Sequence, residues 1–142
     1  MQAVYKAECE GKMARNGESE LTVITRAKEL CQYILVITDK SPKKFRFTLV
    51  SRLQNYSLSV IEHLFKANEQ FVGGEKAEEQ FAARLSLQQE AMTELRLLAY
   101  MSMIAREAQC ILPKQQSHIS MKIVETQRLL YAWMKSDENR RK

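Results

Sequence analysis

The sequence predicts an all-α fold, an antiparallel up-down-up-down four-helix bundle, and three observations carry that expectation. The 142 residues include only four Gly and two Pro, too few for a turn-rich β fold. Apolar residues recur three and four apart along four long segments. The breaks between those segments are short, which makes consecutive helices antiparallel neighbours. A hydrophobic content of 45% excludes a disordered chain, and the length fits one ordinary domain.

Residues 1–20 hold Gly11, Asn16 and Gly17 and no sustained apolar period, and read as a flexible N-terminal arm. The bundle is expected over residues 21–136, with a solvated charged tail at 137–142. Helix one starts near Ser19 as N-cap and carries Val23, Ala27, Leu30, Ile34 and Thr38 on one stripe. The run from Ile34 to Ile37 could pass for a strand alone, but the longer period outvotes it.

Helix two has the clearest start, with Ser41 as N-cap and Pro42 at the first helical position. Val50, Leu53, Ser57, Val60, Leu64, Ala67 and Phe71 form its seam, and Gly73-Gly74 ends it. Helix three runs from about Glu75 to Cys110, roughly 50 Å, with Phe81, Leu85, Met92, Leu95, Leu98, Ser102, Ala105 and Ala108 on its stripe. Pro113 closes it. Helix four covers about Lys114 to Ser136 with Ile119, Ile123, Leu130 and Met134 inward, and Val124 and Tyr131 alongside.

Catalytic and metal chemistry find no motif. Neither His63 nor His118 stands three residues after a Glu, as a di-metal bundle site needs. Cys9, Cys31 and Cys110 lack ligand spacing, and the last two fall on or near apolar stripes as packing thiols. Gly73-Gly74 lacks the Lys and Ser/Thr of a phosphate loop, and no nucleophile elbow occurs. The expectation is a protein without enzymatic activity or cofactor. An odd cysteine count, no apolar run of membrane-span length and no signal-peptide core place it in the cytoplasm, with no membrane partner.

The net charge of +5 divides unevenly. Residues 41–71 carry +3 and residues 112–142 carry +4, whereas residues 72–111 carry −2. On helix two, Lys44, Arg52 and Lys66 project from the face away from the seam. Lys43 and Lys44 crowd the helix start, against the preference of the dipole for anions there. On helix four, Arg128 and Lys135 stack opposite Ile123, and Arg46 points along the helix-two seam at the bundle end. These seven residues are the expected contacts to an anionic partner, RNA or DNA, against the plainer reading of solvated helix faces. Trp133, Phe45 and Phe47 are expected in packing or subunit contacts rather than base stacking.

The segment from Ser41 through Leu49, then Ser51-Arg52-Leu53, Val60-Ile61-Glu62 and Ala67-Asn68, followed late by Trp133 and Lys135, resembles a known pattern. It is similar to the four-helix-bundle family of accessory variability determinant (Avd-like) proteins of diversity-generating retroelements. Proteins encoded by intervening sequences in ribosomal RNA genes belong to the same superfamily. The matching positions are Pro42, Lys43, Arg46, Phe47, Arg52, Ala67 and Asn68; Val50-Ser51 departs from the pattern, where many members carry Gly and a polar residue. The resemblance implies an antiparallel bundle assembling as a homopentamer. It also implies nucleic-acid binding and association with a reverse transcriptase in mutagenic retrohoming, with Lys43, Arg46 and Arg52 as contacts. The alternative it leaves is a structural bundle of the intervening-sequence type with no retroelement role.

Overall fold

A computed structural model of the chain describes residues 17–141, with side chains from Thr22 onward. Among the described residues four α-helices make up the fold: α1 (Gly17–Thr38), α2 (Ser51–Glu69), α3 (Ala77–Glu107) and α4 (Pro113–Arg141). No strand occurs among the described residues. Each helix packs on its neighbours in the chain and α1 closes on α4, so the four surround one core. Arg26 meets Glu125 and Tyr33 meets His118, which sets α1 and α4 in opposite directions. Arg84 to Asp137 and Glu78 to Arg141 do the same for α3 and α4. No described helix is long and apolar enough to cross a membrane.

The core is built on the expected periodicities. Val23, Ala27, Leu30 and Ile34 of α1 and Leu53, Val60, Leu64 and Ala67 of α2 are fully or almost fully buried. Leu95, Leu98 and Ala105 of α3 and Ile119, Ile123, Leu130 and Trp133 of α4 complete it. Trp133 is thus a packing residue.

Several boundaries differ from the sequence expectation, each for a physical reason. Most of the expected arm lies outside the described residues, but 17–20 are helical, so Ser19 sits inside α1 rather than at its cap. Ser41 does not cap helix two. Its hydroxyl donates to the Cys110 carbonyl 2.8 Å away, and Pro42 is extended at ψ 138°. The chain then makes a 3₁₀ turn at Lys43–Phe45 and a π turn at Arg46–Val50 before the regular helix begins. At the other end α2 stops at Glu69, because Gln70 is extended, and Phe71 leaves the seam for solvent. Its ring occupies space that a Cβ on Gly73 would enter, 3.1 Å away.

Helix α3 ends at Glu107 in a Schellman closure without a glycine. Cys110 N–H donates to the Ala105 carbonyl at 2.8 Å and Gln109 N–H to that of Arg106 at 3.0 Å, with Gln109 at φ 64°. Pro113 is the first residue of α4, and the Gln115 side chain accepts from the Leu112 N–H at 2.9 Å, half of a capping box.

The largest departure is electrostatic. The seam of α3 passes through Arg84 and Gln88, both buried, while Leu85 and Met92 are only half-buried and Ala108 is exposed. In place of a solvated tail, α4 continues to Arg141 and buries Asp137. Arg84 grips both Asp137 oxygens, Nη2 to Oδ1 at 3.0 Å and Nε to Oδ2 at 2.9 Å. Gln88 donates to Oδ2 at 3.1 Å, and Arg140 adds a contact to Oδ1 at 2.7 Å. The Arg84 guanidinium also lies 4.9 Å from the centre of the Trp133 ring.

Two stability measurements check this description. Asp137→Asn leaves a buried guanidinium without its counter-charge and should cost about 3 kcal/mol in urea unfolding. Gln109→Gly relieves a left-handed backbone and should stabilise by about 0.5–1 kcal/mol in the same assay.

Candidate functional site

A wide concavity lies at the pole where α1 hands over to α2. Its local architecture follows from the residues that stop α1. Thr38 turns its hydroxyl back onto the Ile34 carbonyl at 2.6 Å and accepts from Gln54 Nε2 at 3.0 Å, tying α1 to α2. Ser41 ties the connection to the end of α3 through the Cys110 carbonyl. With both anchors inward, the segment from Asp39 to Phe47 rides outward. A cleft of about 530 Å³ opens between it and the end of α1, lined by Thr38, Lys40, Lys43, Arg46, Phe47 and Gln54 among others. Asp39 is the one carboxylate in that lining.

Arg46 does not follow the seam as expected. The π turn from Arg46 to Val50 spaces its hydrogen bonds five residues apart, and the wider turn rotates Arg46 off the core face into solvent. It pairs with no carboxylate among the described residues. Lys43 is likewise exposed and unpaired, and Lys44 places its ammonium 5.1 Å from the centre of the Phe45 ring. Arg52 follows in the first turn of α2, also exposed.

The other three expected contacts are elsewhere. Lys66 is 14 residues beyond Arg52, roughly 21 Å along α2, and is paired with Glu62 at 3.0 Å. That pairing holds the Glu62 carboxyl below the usual carboxylate range, through the hydrogen bond first and the charge second. Arg128 and Lys135 lie on α4, which packs on α1 and α3, and Lys135 is 3.5 Å from Glu138. The expected seven therefore split into a cluster of four at one pole and three scattered cations.

Residues outside the expected set join the cluster. Because Ser41 meets Cys110, the α3–α4 connection shares this pole, bringing Arg106 and Lys114 to it along with Lys40. Residues 38–54 and 104–118 hold seven exposed Lys and Arg against two carboxylates, Asp39 and Glu107. None of the seven forms an ion pair with another described residue. No local spacing signals Arg106 or Lys114; only the pairing of connections in a bundle does.

The remaining groups offer little to chemistry. Burial pushes the Cys110 thiol up, the Ser41 hydroxyl opposing only in part, so it stays a neutral packing thiol. Cys31 is also buried, and Cys9 lies outside the described residues. Desolvation raises the Tyr33 phenol, whose oxygen is 3.2 Å from His118 Nδ1. His63 sits between Glu90 and Glu94, joining α2 to α3. No group of three or more His, Cys, Asp or Glu among the described residues is placed to hold a metal ion. A smaller cavity of about 180 Å³ at the opposite pole is lined by Phe81, Leu85, Gln88, Asp137 and Glu138 among others, and its two carboxylates are already engaged, Asp137 by Arg84 and Glu138 by Lys135.

Compared with known proteins, residues 21–137 match the model of the family described as bAvd-like. No curated protein matches the chain. If the cleft cations serve a partner rather than the fold, Lys43→Ala with Arg46→Ala should leave the stability obtained from a thermal melt unchanged within about 0.5 kcal/mol. Ser41→Ala, which removes the tie to Cys110, should lower stability by about 1 kcal/mol in the same thermal melt.

Proposed function

The chain belongs to the bAvd-like family, and from that premise we propose that it is a non-catalytic, nucleic-acid-binding accessory protein of a diversity-generating retroelement. In this reading it works in the cytoplasm and associates with the reverse transcriptase of its element during mutagenic retrohoming. The observation that carries the reading is the pole of seven exposed cations beside the cleft, none of them ion-paired with another described residue. Arg52, held against the dipole in the first turn of α2, costs the fold a little and gains only if an anion arrives from outside. Neutralising phosphates there releases counterions, which gives a sequence-independent affinity suited to an accessory protein.

A homo-oligomer, a pentamer by family resemblance, fits a second surface. Leu97, Tyr100 and Ile104 recur on the outer face of α3 and are 38%, 68% and 52% exposed. That apolar stripe suits contact with another copy and would multiply the cationic pole around a ring.

Fluorescence anisotropy with RNA, DNA and hybrid duplexes over a salt series tests the proposal. The expected result is a logarithmic affinity that falls linearly with the logarithm of salt. Replacing Lys43, Arg46 and Arg52 by Ala should reduce that slope by roughly two to three, about one per phosphate contact. Replacing Lys66, already paired with Glu62, should change it little. No binding at low salt, or a flat salt response, would sink the proposal and leave a structural bundle.

A further inference from the structure

The cleft carries a feature that phosphate neutralisation alone does not use. Phe47 is 87% exposed, more than any other large hydrophobic side chain among the described residues. Neighbouring aromatics have partners: Phe45 lies under Lys44, and Tyr33 meets His118. Phe47 has no ring or cation partner among the described residues, and the π turn at Arg46–Val50 carries its ring at the cleft wall. A π turn leading into an α-helix, as this one does before Ser51, is uncommon, and π turns are frequent at functional sites.

We propose that this cleft seats an unpaired nucleotide. Its base stacks on Phe47, and the flanking phosphates lie against Lys40, Lys43 and Arg46. The chain therefore engages single-stranded polynucleotide more tightly than duplex. The inference rests on the nucleic-acid reading above and adds the class of nucleic acid. Bases of a duplex are stacked on one another and present only phosphates to such a wall, whereas a single strand offers a free π-face for each phosphate. An aromatic platform beside a cationic groove is the combination that single-strand sites use. A protein partner fits less well, because lysine is depleted in protein–protein interfaces and two of the three cations at this wall are lysines. The cleft volume of about 530 Å³ lies within the range that small-ligand sites occupy. Asp39 lines the same cleft as its one carboxylate, against the three cations Lys40, Lys43 and Arg46.

The test compares a fluorescein-labelled oligothymidylate with a blunt duplex of equal length, for the full chain carrying Phe47→Ala or Phe47→Trp. Phe47→Ala should weaken single-strand binding roughly tenfold while changing duplex affinity and the salt slope less than twofold. Phe47→Trp should keep single-strand affinity, and both variants should melt as the parent does, because the ring is in solvent. Equal loss on both nucleic acids, or no loss on either, overturns the inference. A change in oligomeric mass on Phe47→Ala with single-strand affinity intact assigns the ring to a protein contact and overturns it as well. Parent protein that binds neither nucleic acid brings down the broader reading too, whereas salt-dependent duplex binding indifferent to Phe47 removes this inference alone.

Discussion

The buried pairing of Arg84 with Asp137 is the constraint around which the bundle is arranged. Both residues take seam positions that amphipathic logic reserves for apolar side chains. Such a pair adds little net stability over an apolar alternative, but stranding either partner is expensive. Helices α3 and α4 are therefore held in the register that brings residue 84 to residue 137, with Gln88 and Arg140 satisfying the carboxylate further. A slip by one turn would bury two uncompensated charges. Trp133, packed beneath the guanidinium, makes the same register the one that fills the core.

That register has a consequence at the far end. Around Asp137 the cations are consumed internally: Arg84 and Arg140 by Asp137, Arg141 by Glu78. Hydrogen bonding to Arg141 holds the Glu78 carboxyl below the usual range. At the opposite pole the two connections meet through Ser41 and Cys110, and seven cations face solvent with no carboxylate partner among the described residues. The net charge of +5 thus resolves into one largely neutralised pole and one carrying the excess. The unpaired end also holds the cleft, the π turn and the exposed Phe47.

Periodicity made much of this legible in advance. The seam from Val50 through Ala67 reads directly from spacing, since every member is apolar or small and every member is buried. Where polar residues took seam positions the same method failed: Leu85 and Met92 drew the stripe of α3 away from Arg84, Gln88 and Ala91. Asp137 was hidden because a run of charged residues after Ser136 looks like a tail until its partner, 53 positions earlier, is known. Ser41-Pro42 mimicked a cap because the local signal is strong, while its actual acceptor is 69 residues away. The end of α3 was blurred because Gln109, rather than Gly, adopts the left-handed conformation. At the cleft, Lys43 and Arg46 stand in the Ser41–Leu49 motif. The distance of Lys66, Arg128 and Lys135 from that pole is not legible, because a helical projection carries no information about which ends of a bundle meet.

Hydrogen exchange of the full chain with and without a single-stranded oligonucleotide tests most directly whether the unpaired pole is the binding surface. Backbone amides from about residue 40 to 50, and the first turn of α2, should exchange more slowly when the oligonucleotide is bound. Those of residues 131–141, beside the Arg84–Asp137 pair, should be unchanged. Protection centred on the end of α4, or spread evenly over all four helices, would contradict the account.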